Sequence, residues 1–120
     1  MGLDMYLYRR KKRPAGDQVA YWRKANQIRE WFATHIGVDN CKESPLTKEI
    51  LMDLRDDCIK VIVNHNRAKE LLPTSSGFFF GSTEYDDWYF KDLEDTVKML
   101  DKIIHETDWE NEEVYYYEWW

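Results

Sequence analysis

The segment "GSTEYDDW" (Gly81 to Trp88) sets Glu84 and Asp86 beside Tyr85 and Trp88. Paired carboxylates next to a phenol are groups that general acid–base catalysis uses. The same acids also suit the first turn of a helix, where free N–H groups and the helix dipole favour negative charge. Capping is the simpler role, so no residue is assigned as catalytic. A small-molecule or nucleotide-binding enzyme with its pocket at "GSTEYDDW" stands as the alternative. Phosphate fits this segment poorly, because no Lys or Arg lies between Glu70 and Lys91 and the local carboxylates would repel it. A cation, an amine or an arginine on a partner protein suits it better.

The other reactive side chains are His35, Cys41, Cys58, His65 and His105. They form no CxxC, HxxxH or HExxH, and a structural zinc site needs four ligands at short paired spacings. Cys58 and His65 fall on an apolar helical stripe, where a buried thiol and a hydrogen-bonded imidazole are ordinary. Cys41 follows His35 by six residues, too loose a pairing to mark a nucleophile and its base. No metal and no cofactor is implied. Two cysteines are too few for a disulfide scaffold and point to a reducing cytoplasm.

Charge is unevenly spread. Met1 to Ile36 carries a balance of +5 and Gly37 to Trp120 a balance of −11, giving the net −6. From Thr83 onward thirteen acids face three lysines. "RRKKR" (Arg9 to Arg13) followed by "YWRK" mixes cations with stacking aromatics, the combination that single-strand nucleic-acid binders use. The acidic remainder lies within about a Debye length, ~8 Å at physiological salt, and disfavours a phosphate backbone. The reverse role, an acidic mimic of DNA, is equally open to such a molecule. Six Trp, eight Tyr and five Phe exceed what so small an interior accommodates, so some rings belong at the surface, as in protein interfaces.

These residues must be positioned by a single domain spanning residues 1–120, long enough to bury one core. Nothing reads as a secretory signal, and no run approaches the roughly 18 apolar residues of a membrane helix. "LDMYLY" alternates Leu3, Met5 and Leu7 with Asp4, Tyr6 and Tyr8, the period of a half-buried strand. From Asp17, an N-cap candidate, to Gly37 the apolar residues recur at helical steps. A second helix is predicted from Thr47 to Leu72, ahead of Pro73. A third begins in "STEYDD", with Thr83 and Asp86 as a capping box and Asp87–Lys91 and Glu94–Lys98 as surface ion pairs. "VYYYEWW" (Val114 to Trp120) is rich in strand formers and alternates into two aromatic faces. The expectation is an α+β fold with about three amphipathic helices on a small antiparallel sheet. The N- and C-terminal strands pair in it, and a short strand near Phe78–Phe80, with Phe78 and Phe80 facing the core, completes it.

"MGLDMYLY", "YWRKANQIREWF" (Tyr21 to Phe32), "VDNC" (Val38 to Cys41), "LLPTSSGFFFGSTEYDDWYFKDLEDT" (Leu71 to Thr96) and the "YYYEWW" tail together resemble a family of small proteins of bacteriophages, prophages and bacterial genomes. That family has no assigned biochemical role, so the resemblance implies context only: a cytoplasmic accessory protein carried by a phage or prophage. Small acidic phage proteins often bind and disable a host protein, including defence systems such as CRISPR nucleases. This is analogy independent of fold.

The leading expectation is therefore a cytoplasmic interaction protein that binds a bacterial host protein, not a membrane. Its contact residues are expected to be Trp22, Arg23 and Trp31 from the first helix, with Glu84, Tyr85, Asp86 and Trp88 around the start of the third. Adjoining aromatic and charged side chains are the mixture enriched in binding hot spots.

Overall fold

The computed structural model describes residues 2–11, 16–77 and 80–120. One antiparallel sheet holds β1 (Asp4–Lys11), β2 (Asp17–Arg23), β3 (Ser44–Leu46) and β4 (Glu112–Trp119) in the order β2-β1-β4-β3. Helices α1 (Asn26–Ile36), α2 (Lys48–Val63), α3 (Ala68–Leu71) and α4 (Asp87–Glu106) complete an α+β fold. The expected class holds, as does the pairing of the N- and C-terminal strands, which runs from Asp4↔Trp119 to Lys11↔Glu112. No helix among the described residues is long and apolar enough to cross a membrane.

The third strand is not where it was expected. Phe80 lies outside any strand, and Phe78 and Phe79 fall outside the described residues. β1 gains its second neighbour from Asp17–Arg23 instead, the stretch predicted to open the first helix. In "DQVAYWR" the β-branched and aromatic residues favour a pleated strand. Ala20 and Trp22 are buried and Tyr21 is exposed, a period of two. The helical spacing was deceptive because Trp22 and Ala25 reach the same core from either side of a tight corner, where Lys24 adopts φ 56°. The true helix starts at Asn26 and ends at Gly37, whose φ of 68° suits glycine.

Thr47 caps α2 as expected, its hydroxyl accepting from the Ile50 N–H at 3.2 Å. The predicted run to Leu72 breaks at Asn64, whose side chain instead caps a 3-10 turn at His65–Arg67. Asp86 alone caps α4, accepting from the Tyr89 N–H at 3.1 Å, and Thr83 takes no part in that cap. The ion pair on the helix surface is Lys91–Asp95 rather than the two expected, one step along the same face.

The buried core side chains converge on one face of the sheet. Met5 and Leu7 of β1, Trp22 of β2 and Tyr116 of β4 are buried with Trp31 and Phe32 of α1, Leu54 of α2 and Leu93 of α4. Phe32 packs on Tyr116 with ring centroids 4.4 Å apart.

Candidate functional site

Alternation within each strand sends every second side chain to the opposite face of the sheet. There β1 presents Tyr6 and Tyr8, β2 presents Tyr21, and β4 presents Tyr115, Tyr117 and Trp119. Tyr6 sits at the centre, with ring centroids 5.2 Å from Tyr21, 5.7 Å from Tyr8 and 6.4 Å from Tyr117. Tyr8 continues the chain to Tyr115 at 5.2 Å. At one end the array is sealed: Arg10 lies over Tyr115 and pairs with both Glu43 and Glu113, the latter closely. At the other end it opens, with Tyr21 41% and Trp119 58% exposed. The Tyr21 hydroxyl donates to Asp4 at 2.6 Å, and this bond holds its pKa up at about 12.

Sequence reasoning did not nominate Tyr6, Tyr8, Tyr117 or Trp119 as contact residues. The signal was available in the alternation of "LDMYLY" and "VYYYEWW". Two strands that pair in register and each carry tyrosine at every second position must align those rings on one face.

Four of the nominated residues do come together. Arg23, Glu84, Asp86 and Trp88 line a cleft of about 270 Å3, joined by Lys24, Gln27 and Asp92. Trp88 is 76% exposed at its rim. Burial pushes the Asp92 carboxyl above the usual aspartate range, although the Gln27 amide, donating at 3.4 Å, acts in the opposite sense. Among the described residues Glu84, Asp86 and Asp92 have no ion-pair partner.

The other three sit elsewhere. Trp22 and Trp31, expected at the surface, are buried, because strand register turns Trp22 inward opposite Met5 and Trp31 lies on the inner face of α1. Each indole N–H is satisfied at 2.8 Å, by the Thr96 hydroxyl and the Asp57 carboxylate respectively. Tyr85 turns away from the cleft, packs on Tyr89 and accepts from the Thr74 N–H at 3.1 Å.

The cleft is built by two separated segments that meet on Asn26. This buried amide donates to the Phe80 carbonyl at 3.1 Å and the Ser82 carbonyl at 2.8 Å, and accepts from the Ser75 N–H at 2.9 Å. Tyr89 fixes the start of the same loop through its hydroxyl, which donates to the Leu72 carbonyl at 2.6 Å. Gly81 has φ 89° and backs directly onto Lys24.

Comparison with known protein families, curated proteins and solved structures returns no match. No group of three or more His, Cys, Asp or Glu among the described residues is disposed to hold a metal ion. Of the basic run, Arg9 pairs with Glu112 at 3.6 Å and Arg10 with Glu43 and Glu113, so local acids compensate these cations. Lys12 and Arg13 lie outside the described residues.

Proposed function

We propose that this chain is an interaction protein whose contact surface is the open aromatic face of the sheet. Tyr6, Tyr8, Tyr21, Tyr117 and Trp119 pave that face, with Tyr115 buried beneath Arg10 at its closed end, while the helices cover the other. This is the observation that carries the reading. Contiguous exposed aromatic surface is uncommon on a monomer, and tyrosine and tryptophan are enriched where proteins bind one another. Rigid rings already packed side by side lose little entropy on binding.

The partner is a bacterial host protein, and the chain acts as a cytoplasmic accessory protein of a phage or prophage. Its resemblance to small phage-borne proteins supports that context, and inhibition of a defence nuclease is the analogous role. Protein is favoured over nucleic acid because Asp4 sits within the aromatic array and Arg10, the cation lying over Tyr115, is already paired with Glu43 and Glu113. Capture from bacterial lysate tests the reading, with wild type compared against Tyr6→Ala and Tyr117→Ala of unchanged melting temperature. Loss of a captured protein from both variants is expected. Capture that survives both, or recovery of nucleic acid alone, rejects it.

A second reading is supported by the Arg23–Trp88 cleft, where a carboxyl of raised pKa faces a cavity of small-molecule size. A ligand there would carry an amine or guanidinium beside the indole and the three carboxylates. A thermal-shift screen with amines separates this from protein binding.

A further inference from the structure

The two edges of the sheet differ. β3 is three residues long and contains Pro45, which has no N–H to offer, so that edge is blunt. β2 is seven residues long, about 23 Å at the usual rise of an extended chain. Its hydrogen-bonding phase follows from the Lys24 N–H, which donates to the Leu3 carbonyl at 2.7 Å. In an antiparallel ladder the bonded pairs then continue at Met5↔Trp22 and Leu7↔Ala20. The main-chain N–H and C=O of Tyr21 and Arg23 therefore point away from β1, and no partner among the described residues takes them. A shift of register between Leu7 and Tyr8 ends this straight stretch near Val19.

Alongside that edge runs a trench between β2 and α4. Three clefts of about 280, 420 and 270 Å3 follow one another from Val19 and Ile103, past Tyr21 and Met99, to Arg23 and Trp88. The last two share Arg23 and Asp92, so they are continuous. An unpaired edge strand beside a helix that walls a trench is the geometry by which a sheet takes on an additional strand.

We propose that β2 receives an extended peptide segment of the partner protein as a fifth strand, paired to the main chain of Tyr21 and Arg23. The segment carries an arginine or lysine on the side that meets α4. In the cleft at the end of the trench Glu84, Asp86 and Asp92 outnumber Arg23 and Lys24 and supply the complementary charge, and the exposed Trp88 ring offers the cation a π face. The inference rests on the reading of the chain as a protein-binding module and assigns that module a second contact.

Selection of a display library of random ten-residue peptides on the purified protein, followed by amide hydrogen exchange, tests it. In the free protein the Tyr21 and Arg23 amides exchange fast. Selected peptides carry Arg or Lys at alternate positions and slow both amides at least tenfold. Methylating alternate peptide nitrogens weakens binding at least tenfold, as does the double variant Glu84→Gln, Asp92→Asn. The proposal is overturned if selection yields no binder, if N-methylated peptides bind equally, or if bound peptides leave both amides fast. It is also overturned if both amides are slow in the free protein, whether as a monomer or as a β2-to-β2 dimer. A lysate partner that needs Tyr6 and Tyr117 while peptide selection fails leaves the protein-binding reading intact and removes only this one.

Discussion

Arg29 clamps Glu118 from α1, its Nε 3.1 Å from one oxygen of a carboxylate that is wholly buried. The same carboxylate accepts from the Tyr116 hydroxyl at 2.9 Å and the Trp120 indole at 2.7 Å. A buried ion pair is not evidence of net stability, but removing one member leaves the other's charge buried and uncompensated. Arg29→Ala is therefore expected to cost about 3–5 kcal/mol. Circular dichroism should show a melting temperature lower by on the order of 10 °C. A loss of only a degree or two would mean that Tyr116 and Trp120 suffice to hold the carboxylate.

Asn26 makes a sharper case because its two side-chain ends do opposite jobs. Asn26→Asp keeps an acceptor for the Ser75 N–H but sets a carboxylate against the Phe80 and Ser82 carbonyls. The expected cost is about 3 kcal/mol, larger than for Asn26→Ala, since an unpaired buried charge is worse than a missing amide. The penalty should shrink as pH falls from 7 toward about 4, as the folded state takes up a proton and the neutral carboxyl can donate to one carbonyl. Urea denaturation at pH 4 and pH 7 measures the difference. Equal penalties at both would show that the charge is not confined.

Lys24 and Gly81 press on each other across the same junction. A β-carbon added to Gly81 would lie 2.8 Å from the Lys24 β-carbon, at a φ of 89° that side chains avoid. Gly81→Ala should lose about 2 kcal/mol. Lys24→Gly relieves the left-handed strain at φ 56° and removes the colliding atom. In that background the Gly81→Ala penalty should fall by about 1 kcal/mol, a coupling that a double-mutant cycle reads directly. Simple additivity would place the strain elsewhere.

These cases show what could be read from residues alone. Alternation in "LDMYLY" and "VYYYEWW" defined the central strand pair, because period two is set by the pleat itself. The cap at Thr47 and the dense carboxylates before α4 located two helix starts within a few residues. "DQVAYWR" fits either period, since helical and strand spacings coincide over so short a run, and only pairing with β1 decides between them. The break at Asn64 lay hidden inside an apolar stripe that continues through Ala68 and Leu72, both buried. For the candidate site, local chemistry found Arg23, Glu84, Asp86 and Trp88 separately. Their meeting depends on Asn26 and on Gly81 against Lys24, contacts spanning more than fifty residues that no local pattern encodes. Residue type alone does not set exposure: Trp22 and Trp31 are buried, whereas Tyr21 and Trp119 are exposed on the open face.

Asp92 gives the site a pH signature of known sign. Burial raises its folded-state pKa, with Asp95 and Asp86 adding to the effect and Gln27 and Lys91 opposing it. The unfolded chain releases that proton near the ordinary aspartate value of about 3.9. Between these two pKa values the folded state binds more protons than the unfolded one, so stability falls as pH rises through the window. Asp92→Asn cannot ionise and retains an oxygen to accept from Gln27, so it escapes that loss. The variant should melt higher than the wild type at pH 7, and the gap should close as pH drops below about 4, where both side chains are neutral. Melting curves of the two proteins across pH 3 to 8 test this, since other titrating groups contribute equally to both and cancel in the difference. A variant less stable at neutral pH would mean that the ionised carboxylate is held by charge from Arg23 or Lys24, and that the cleft stabilises an anion rather than awaiting a cation.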